Sequence, residues 1–153
     1  GEQVHDINYT LRHNGVKTQC NINSNGVLAG KSKKTLRGTI DFVRGCKGAE
    51  GTEHETVLLV DDDVENKSVP VILCNEDDVA GNHGAAIGHV RPEQMFYLAS
   101  RGLSQEAAEQ MFVRAMLEQA AIDAPDQASR EGVLRLAATL VDGFDADFLE
   151  EEA

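Results

Sequence analysis

From Gln3 to about Val90 the apolar positions fall in short runs separated by turn residues, and few of them recur at helical spacing. Val4, Ile7, Tyr9 and Leu11 make the first run, and Val27-Leu28 a second. In Thr35-Leu36-Arg37-Gly38-Thr39-Ile40-Asp41-Phe42-Val43, Leu36, Ile40 and Phe42 share one face at period two, and Gly38 takes the place of a fourth side chain. Glu55–Val60 and Val69–Cys74 complete the strand-like set. Between the runs, Asn23-Ser24-Asn25-Gly26, Arg44–Gly48 and Asp61-Asp62-Asp63 carry turn or bend chemistry. Such a pattern allows a sandwich, a barrel or a β-helix. The single Asn25-Gly26 pair lacks strong strands on both sides, which argues against a hairpin there. Apolar pairs such as Leu58-Leu59 and Ile72-Leu73 suit the coils of a solenoid.

After Val90 the period changes to that of helices. Pro92 at a first helical position, with Glu93 and Gln94 behind it, predicts a helix that Gly102 ends. Ser104 is a good N-cap for the next, in which Ala107/Met111/Ala115 and Ala108/Phe112/Met116 align at i, i+4. Pro125 breaks it, and a third helix is predicted from about Asp126 to Asp142, with Val133, Leu134, Ala137, Leu140, Val141 and Phe144 on one face. The closing Asp145–Ala153 run is acidic and is expected to fray. The expected organisation is a β core over 1–90 and a helical segment over 91–153. The helical stripes pack on one another, dock a partner, or both; Met111, Met116 and Phe112 are residue types found in adaptable interfaces.

Charge sharpens this division. Of a formal net charge of -12, residues 92–153 supply -9, from 4 Lys+Arg against 13 Asp+Glu, whereas residues 1–47 hold 8 Lys+Arg against 3 Asp+Glu. An acidic chain lacks the basic patch that phosphate binding needs, so nucleic acid is not an expected partner. The cluster Lys31, Lys33, Lys34 and Arg37 reads as a solvated edge. Cys20, Cys46 and Cys74 are odd in number and far apart, which fits reduced thiols in a cytoplasm. No window approaches the roughly 18 consecutive apolar residues of a membrane span. The opening Gly-Glu-Gln-Val, without Met, reads as the start of a piece of a longer polypeptide.

Chemistry is sought at the junction of the two patterns. In Asp77-Asp78-Val79-Ala80-Gly81-Asn82-His83-Gly84 an acidic, glycine-bracketed turn displays one imidazole, with Cys74 and His89 also near in sequence. In an extended segment His83 and His89 would face the same side. A bend with no ligand role is the other reading of His83, and a strand terminator the other reading of Asp77-Asp78. His5, His13 and His54 lack ligand spacing, and Asp61–Asp63 with Glu65 lacks the alternation of a calcium loop. There is no P-loop, GxGxxG, G-x-S-x-G or HExxH motif.

The quoted residues resemble the SufB/SufD family, the scaffold subunits of SUF iron–sulfur cluster assembly. That family typically reads Asp-Asp-Val-x-Cys-x-His-Gly-Ala-Thr-x-Gly, then Gln-x-Phe-Tyr-Leu-x-Ser-Arg-Gly-Ile. Here Asp77–Gly88 and Gln94-Met95-Phe96-Tyr97-Leu98-Ala99-Ser100-Arg101-Gly102-Leu103 are similar in order and spacing, after Pro70-Val71-Ile72-Leu73. Upstream, His13, Gly26-Val27-Leu28 and Gly38-Thr39-Ile40 look like the family's strand repeats, and the resemblance runs from about Gln3 to Leu117. It implies a mainly β chain with C-terminal helices, namely a fragment of a right-handed parallel β-helix followed by a small α-helical segment. It also implies a non-enzymatic scaffold whose helices dock a SufC-type ABC ATPase, with Phe96, Tyr97, Arg101, Met111, Phe112 and Met116 as the docking residues. His83 falls on the family histidine implicated in cluster formation. An iron–sulfur cluster would be held only transiently in the intact complex, with no cofactor bound tightly by this fragment. A SufB/SufD-like paralogue or a second copy is the implied β-strand partner, because open coil edges invite pairing.

One departure bears on chemistry: the cysteine that commonly stands two residues before this histidine in SufD-like members is Gly81 here. Either a partner chain supplies ligation, or the chain is mainly structural and His83 acts alone. Two other classes compete, a β-helical carbohydrate-active enzyme using carboxylates and an independent metal-binding module around His83 and His89.

Overall fold

The computed structural model describes residues 1–141 and Phe144. The predicted end of the third helix at Asp142 and the Asp145–Ala153 run lie outside the described residues. The chain divides into two compact units, Gly1–Gly88 and His89–Ala153.

The first unit is six strands: β1 (Val4–His13), β2 (Gln19–Leu28), β3 (Lys33–Phe42), β4 (Ala49–Leu59), β5 (Glu65–Cys74) and β6 (Val79–Gly88). They form two three-stranded sheets in the orders β1-β3-β5 and β2-β4-β6, so successive strands alternate between sheets. All pairing is parallel, with Val4 opposite Lys33, Lys33 opposite Glu65, Gln19 opposite Glu50 and Ala49 opposite Val79. Parallel strands cannot be joined by two-residue hairpins, and here each return to a sheet passes through a strand of the other. This explains the weak hairpin signal at Asn25-Gly26.

Inward positions follow period two, and Asp41, on the other face of β3, is also buried, where it accepts from Arg12. On β3, Lys34, Leu36, Gly38, Ile40 and Phe42 are buried; on β4, Ala49, Gly51, Glu53, Glu55 and Val57 are. Ile22, Ile40, Phe42, Cys46 and Ala49 form the apolar core, with Cys20, Ile72 and Val79 packed against it. Each large aliphatic or aromatic side chain there contributes roughly 1.5–3 kcal/mol by burial. The corner between β3 and β4 needs a left-handed residue, supplied by Gly45 at φ 99°. The Gly45 N–H donates to the Glu76 carboxylate at 2.9 Å, and this bond holds the Glu76 carboxyl below its usual range.

Several local readings are corrected. Asn23–Gly26 lies inside β2, and the glycine-bracketed segment around His83 is strand β6, not a turn. Main-chain pairing with β4 holds both in register although their Asn and Gly content is turn-like. Lys34 is not on a solvated edge: the residue is 6% exposed and its Nζ donates to Glu55. His13, set aside for want of ligand spacing, is buried, stacked on Phe42 at 4.8 Å, with Nδ1 2.6 Å from Thr18 Oγ1 and Nε2 3.1 Å from Cys20 Sγ.

The second unit holds α1 (Pro92–Ser100), α2 (Gln105–Ile122) and α3 (Gln127–Leu140). Pro92 opens α1, and Gly102 at φ 91° closes it while the Leu103 N–H reaches back to the Leu98 carbonyl at 3.2 Å. Ser104 Oγ accepts from the Ala107 N–H, and Asp126 Oδ1 from the Ser129 N–H, so both helices start with side-chain caps. Of the two α2 rows, Ala108/Phe112/Met116 is the covered one, while Ala107/Met111/Ala115 is exposed. On α3 Ala137 is buried, as is Val141 just beyond it; Leu140, predicted for that face, is exposed.

Candidate functional site

His83 sits on β6 directly opposite Glu53 on β4. In a parallel pair, register neighbours project to the same side, so the imidazole and the carboxylate lie abreast. Nδ1 of His83 is 4.0 Å from Oε2 of Glu53, with the side chains 27% and 1% exposed. Neither Glu53 oxygen has a hydrogen-bond partner. Across from it, Gly38 leaves the space that the carboxylate occupies: a Cβ built there would overlap the Glu53 carboxyl group. The expected gap in the β3 apolar face is thus filled by an acid from the other sheet.

Two residues along β4, Glu55 is also fully buried and accepts from Lys34 Nζ. Burial pushes the Glu55 carboxyl up, but the Lys34 hydrogen bond and charge, together with the polar Ser68 and Asn66 side chains beside it, hold the group below its ordinary value. Its second oxygen, Asn66 Oδ1 and Ser68 Oγ are buried without bonds of good geometry. The interior therefore passes from an apolar end at Phe42 and Cys46 to a polar stretch at Glu53, Glu55 and Lys34.

The sequence neighbours proposed as partners of His83 do not join it. Asp78 is 3.8 Å from Lys47 Nζ, Cys74 is exposed at the end of β5, and His89 lies beyond β6 in the second unit. Among the described residues no group of three or more His, Cys, Asp and Glu side chains is placed to hold a metal ion. Gly81 shares the side of β6 that carries His83; a Cβ there would come 2.9 Å from Ile72 Cγ2 and 3.2 Å from Phe42 Cε2. Sequence reasoning missed Glu53, Glu55 and Lys34. The period-two alternation from Ala49 to Val57, which puts both glutamates on the side of Val57, was the signal that could have found them.

In the helical unit, Glu93, Gln94, Tyr97, Leu98, Met111 and Phe112 line a concavity of about 270 Å³. Phe96, Tyr97 and Met111 are exposed, the Arg101 guanidinium lies 4.2 Å over the Tyr97 ring, and Phe112 and Met116 are half-buried.

The family model for the SufBD core domain of SUF-system FeS cluster assembly matches residues 1–116. The chain belongs to that family. It is 29% identical over 117 residues to the iron-sulfur cluster assembly protein SufD of Bacillus subtilis, covering 76% of this chain and 27% of that protein. It is 33% identical over 126 residues to an iron-sulfur cluster assembly SufBD family protein of Mycobacterium bovis, covering 82% of this chain and 15% of the relative. A SufBD family protein of Staphylococcus saprophyticus is 31% identical over 116 residues, covering 76% and 25%. The chain thus spans about a quarter or less of the length of these relatives. All six strands, His83 and α1 fall within the family match, whereas α3 lies beyond it. Neither the carbohydrate-enzyme reading nor the independent metal module gains support from these likenesses.

Proposed function

We propose that this chain is a scaffold segment of SUF iron–sulfur cluster assembly, in which a β unit presents His83 for cluster building and a helical unit docks a SufC-type ABC ATPase. The observation that carries this reading is the match to the SufBD core over residues 1–116, with relatives named as iron–sulfur cluster assembly proteins. The two alternating parallel sheets are read as coils of a right-handed parallel β-helix, the hand that strand–crossover–strand connections adopt almost without exception. The chain itself works without catalysis, and the iron–sulfur cluster is cargo held in the intact complex, not a resident cofactor.

The docking assignment is supported by an acidic helical unit with Phe96, Tyr97 and Met111 exposed beside an apolar concavity. Aromatic residues and Met in such settings act as interface anchors. A paralogue or a second copy pairs along the outer strands β5 and β6, whose free main-chain edges are templates for a further strand. The proposed setting is the cytoplasm, in keeping with thiols read as reduced; among the described residues no helix is long and apolar enough to cross a membrane.

The test is co-purification with the ATPase from cells that also make the full-length partners. Wild type is expected to retain the ATPase, and Phe96→Ala/Tyr97→Ala to lose it; equal retention would reject the docking face. In the same complexes, His83→Ala is expected to lower the rate of cluster formation. An unaltered rate removes His83 from the mechanism.

A further inference from the structure

Among the described residues, Glu53 is the buried side chain to which the fold gives least support. It is 1% exposed, both carboxylate oxygens lack a hydrogen-bond partner, and Gly38 is shaped around it. An isolated carboxylate in such surroundings carries a desolvation penalty of several kcal/mol unless another group compensates it. Lys34, the buried cation, is committed to Glu55. The group that faces Glu53 is His83, fixed abreast by strand register, with Nδ1 as the near nitrogen at 4.0 Å. Among the described residues no hydrogen bond occupies the other nitrogen, Nε2, and the side chain is partly open to solvent.

We propose that Glu53 is a positioning residue for His83: its carboxylate takes the Nδ1–H hydrogen bond, so that Nε2 stays unprotonated and faces away as a lone-pair donor for iron of the ferrous class. The inference rests on the reading that His83 acts in cluster assembly. The proposal requires the 4.0 Å separation to close by about 1.1 Å to a hydrogen bond of about 2.9 Å. A carboxylate behind an imidazole fixes which nitrogen carries the proton and raises the basicity of the other, the arrangement that metal-ligating histidines generally use. Imidazole is a suitable donor for iron. With Gly81 in place of a thiol, His83 is the only nitrogen or sulfur donor among the side chains on its side of β6, so its orientation matters more here than beside a cysteine.

The tautomer can be read directly from long-range proton–nitrogen NMR correlations of the His83 ring in the labelled 153-residue chain at neutral pH. Wild type is expected to show at least about a tenfold excess of the Nδ1–H form, from a hydrogen bond to a charged acceptor. Glu53→Leu should revert to the Nε2–H form that free side chains favour, while Glu53→Gln, whose amide oxygen still accepts, keeps Nδ1–H. An Nε2–H or doubly protonated ring in wild type overturns the proposal, as does a tautomer unmoved by Glu53→Leu. Should that variant not fold, wild type and Glu53→Gln decide alone. Cobalt(II), added alone as the probe, is expected to broaden the His83 ring signals at roughly tenfold lower concentration in wild type than in Glu53→Leu. Equal concentrations overturn the donor assignment. None of these readouts needs cluster formation, so normal assembly by His83→Ala would reject the function of His83 while leaving the Glu53–His83 geometry to stand or fall separately.

Discussion

Lys33 and Lys34 are consecutive residues with the same partner chemistry and opposite surroundings, which makes them a controlled experiment on burial. Lys33 Nζ is 2.5 Å from Glu65 with both side chains about half exposed, whereas in the Lys34–Glu55 pair the side chains are 7% and 0% exposed. Lys34→Met strands a buried carboxylate, and the expected cost is about 3–5 kcal/mol. Against a total stability of about 5–15 kcal/mol that is a large fraction, and in a unit of this size it lowers Tm by roughly 12–40 °C. Lys33→Met should cost less than about 1 kcal/mol, since water screens that pair. The double variant Lys34→Met/Glu55→Leu should recover most of the loss, because no charge is then buried. Urea unfolding followed by circular dichroism measures all four proteins. The acid limb supplies the sign: Glu55 is held below its ordinary value, so its contribution is present above the ordinary glutamate pKa of about 4.3 and is lost as pH falls below it. The gap between wild type and Lys34→Met should therefore narrow as pH falls, first as the stranded Glu55 carboxylate of the variant takes up a proton and further below about pH 4 as wild type loses the Glu55 contribution. If Lys34→Met costs no more than Lys33→Met, the claim that burial decides the energetics of this pair is wrong.

Two further substitutions test the interior. Gly38→Ala places a methyl group against the Glu53 carboxylate and should destabilise by about 1–3 kcal/mol; because the two groups collide, most of that cost should vanish in a Glu53→Ala background, and additive losses in the double-mutant cycle would contradict the packing. Gly81→Cys restores the residue common in SufD-like members, but its Cβ meets Ile72 and Phe42; a loss of about 1–3 kcal/mol is expected, with slow labelling of the new thiol in a background where the exposed Cys74 is replaced by Ser. A stable, rapidly labelled thiol would mean that Ile72 yields and the position can serve as a ligand.

Much of the chain announced its local structure. Leu36, Ile40 and Phe42 around Gly38 fixed the inward face of β3, and Pro92, Gly102, Ser104 and Asp126 marked the helix ends within a residue or two. These signals are readable because period-two burial, caps and left-handed stops act between residues close in sequence. The Asp77–Gly88 and Gln94–Leu103 motifs likewise pointed to the family that residues 1–116 match.

What sequence could not supply was the partner of each inward-facing side chain. β2 and β6 are rich in Asn and Gly, and they are strands only because β4 offers them a complete set of main-chain partners about thirty residues away. Glu53, Glu55 and Lys34 look like surface residues when read alone, since burying a charge is unfavourable until an opposite charge or a hydrogen bond meets it. That meeting depends on register between strands of two sheets. Local periodicity marked β1, β3, β5, part of β4 and the helices, whereas pairing with β4 made strands of β2 and β6, and tertiary stacking alone decided that His83 faces a buried carboxylate and not the acidic residues beside it in the chain.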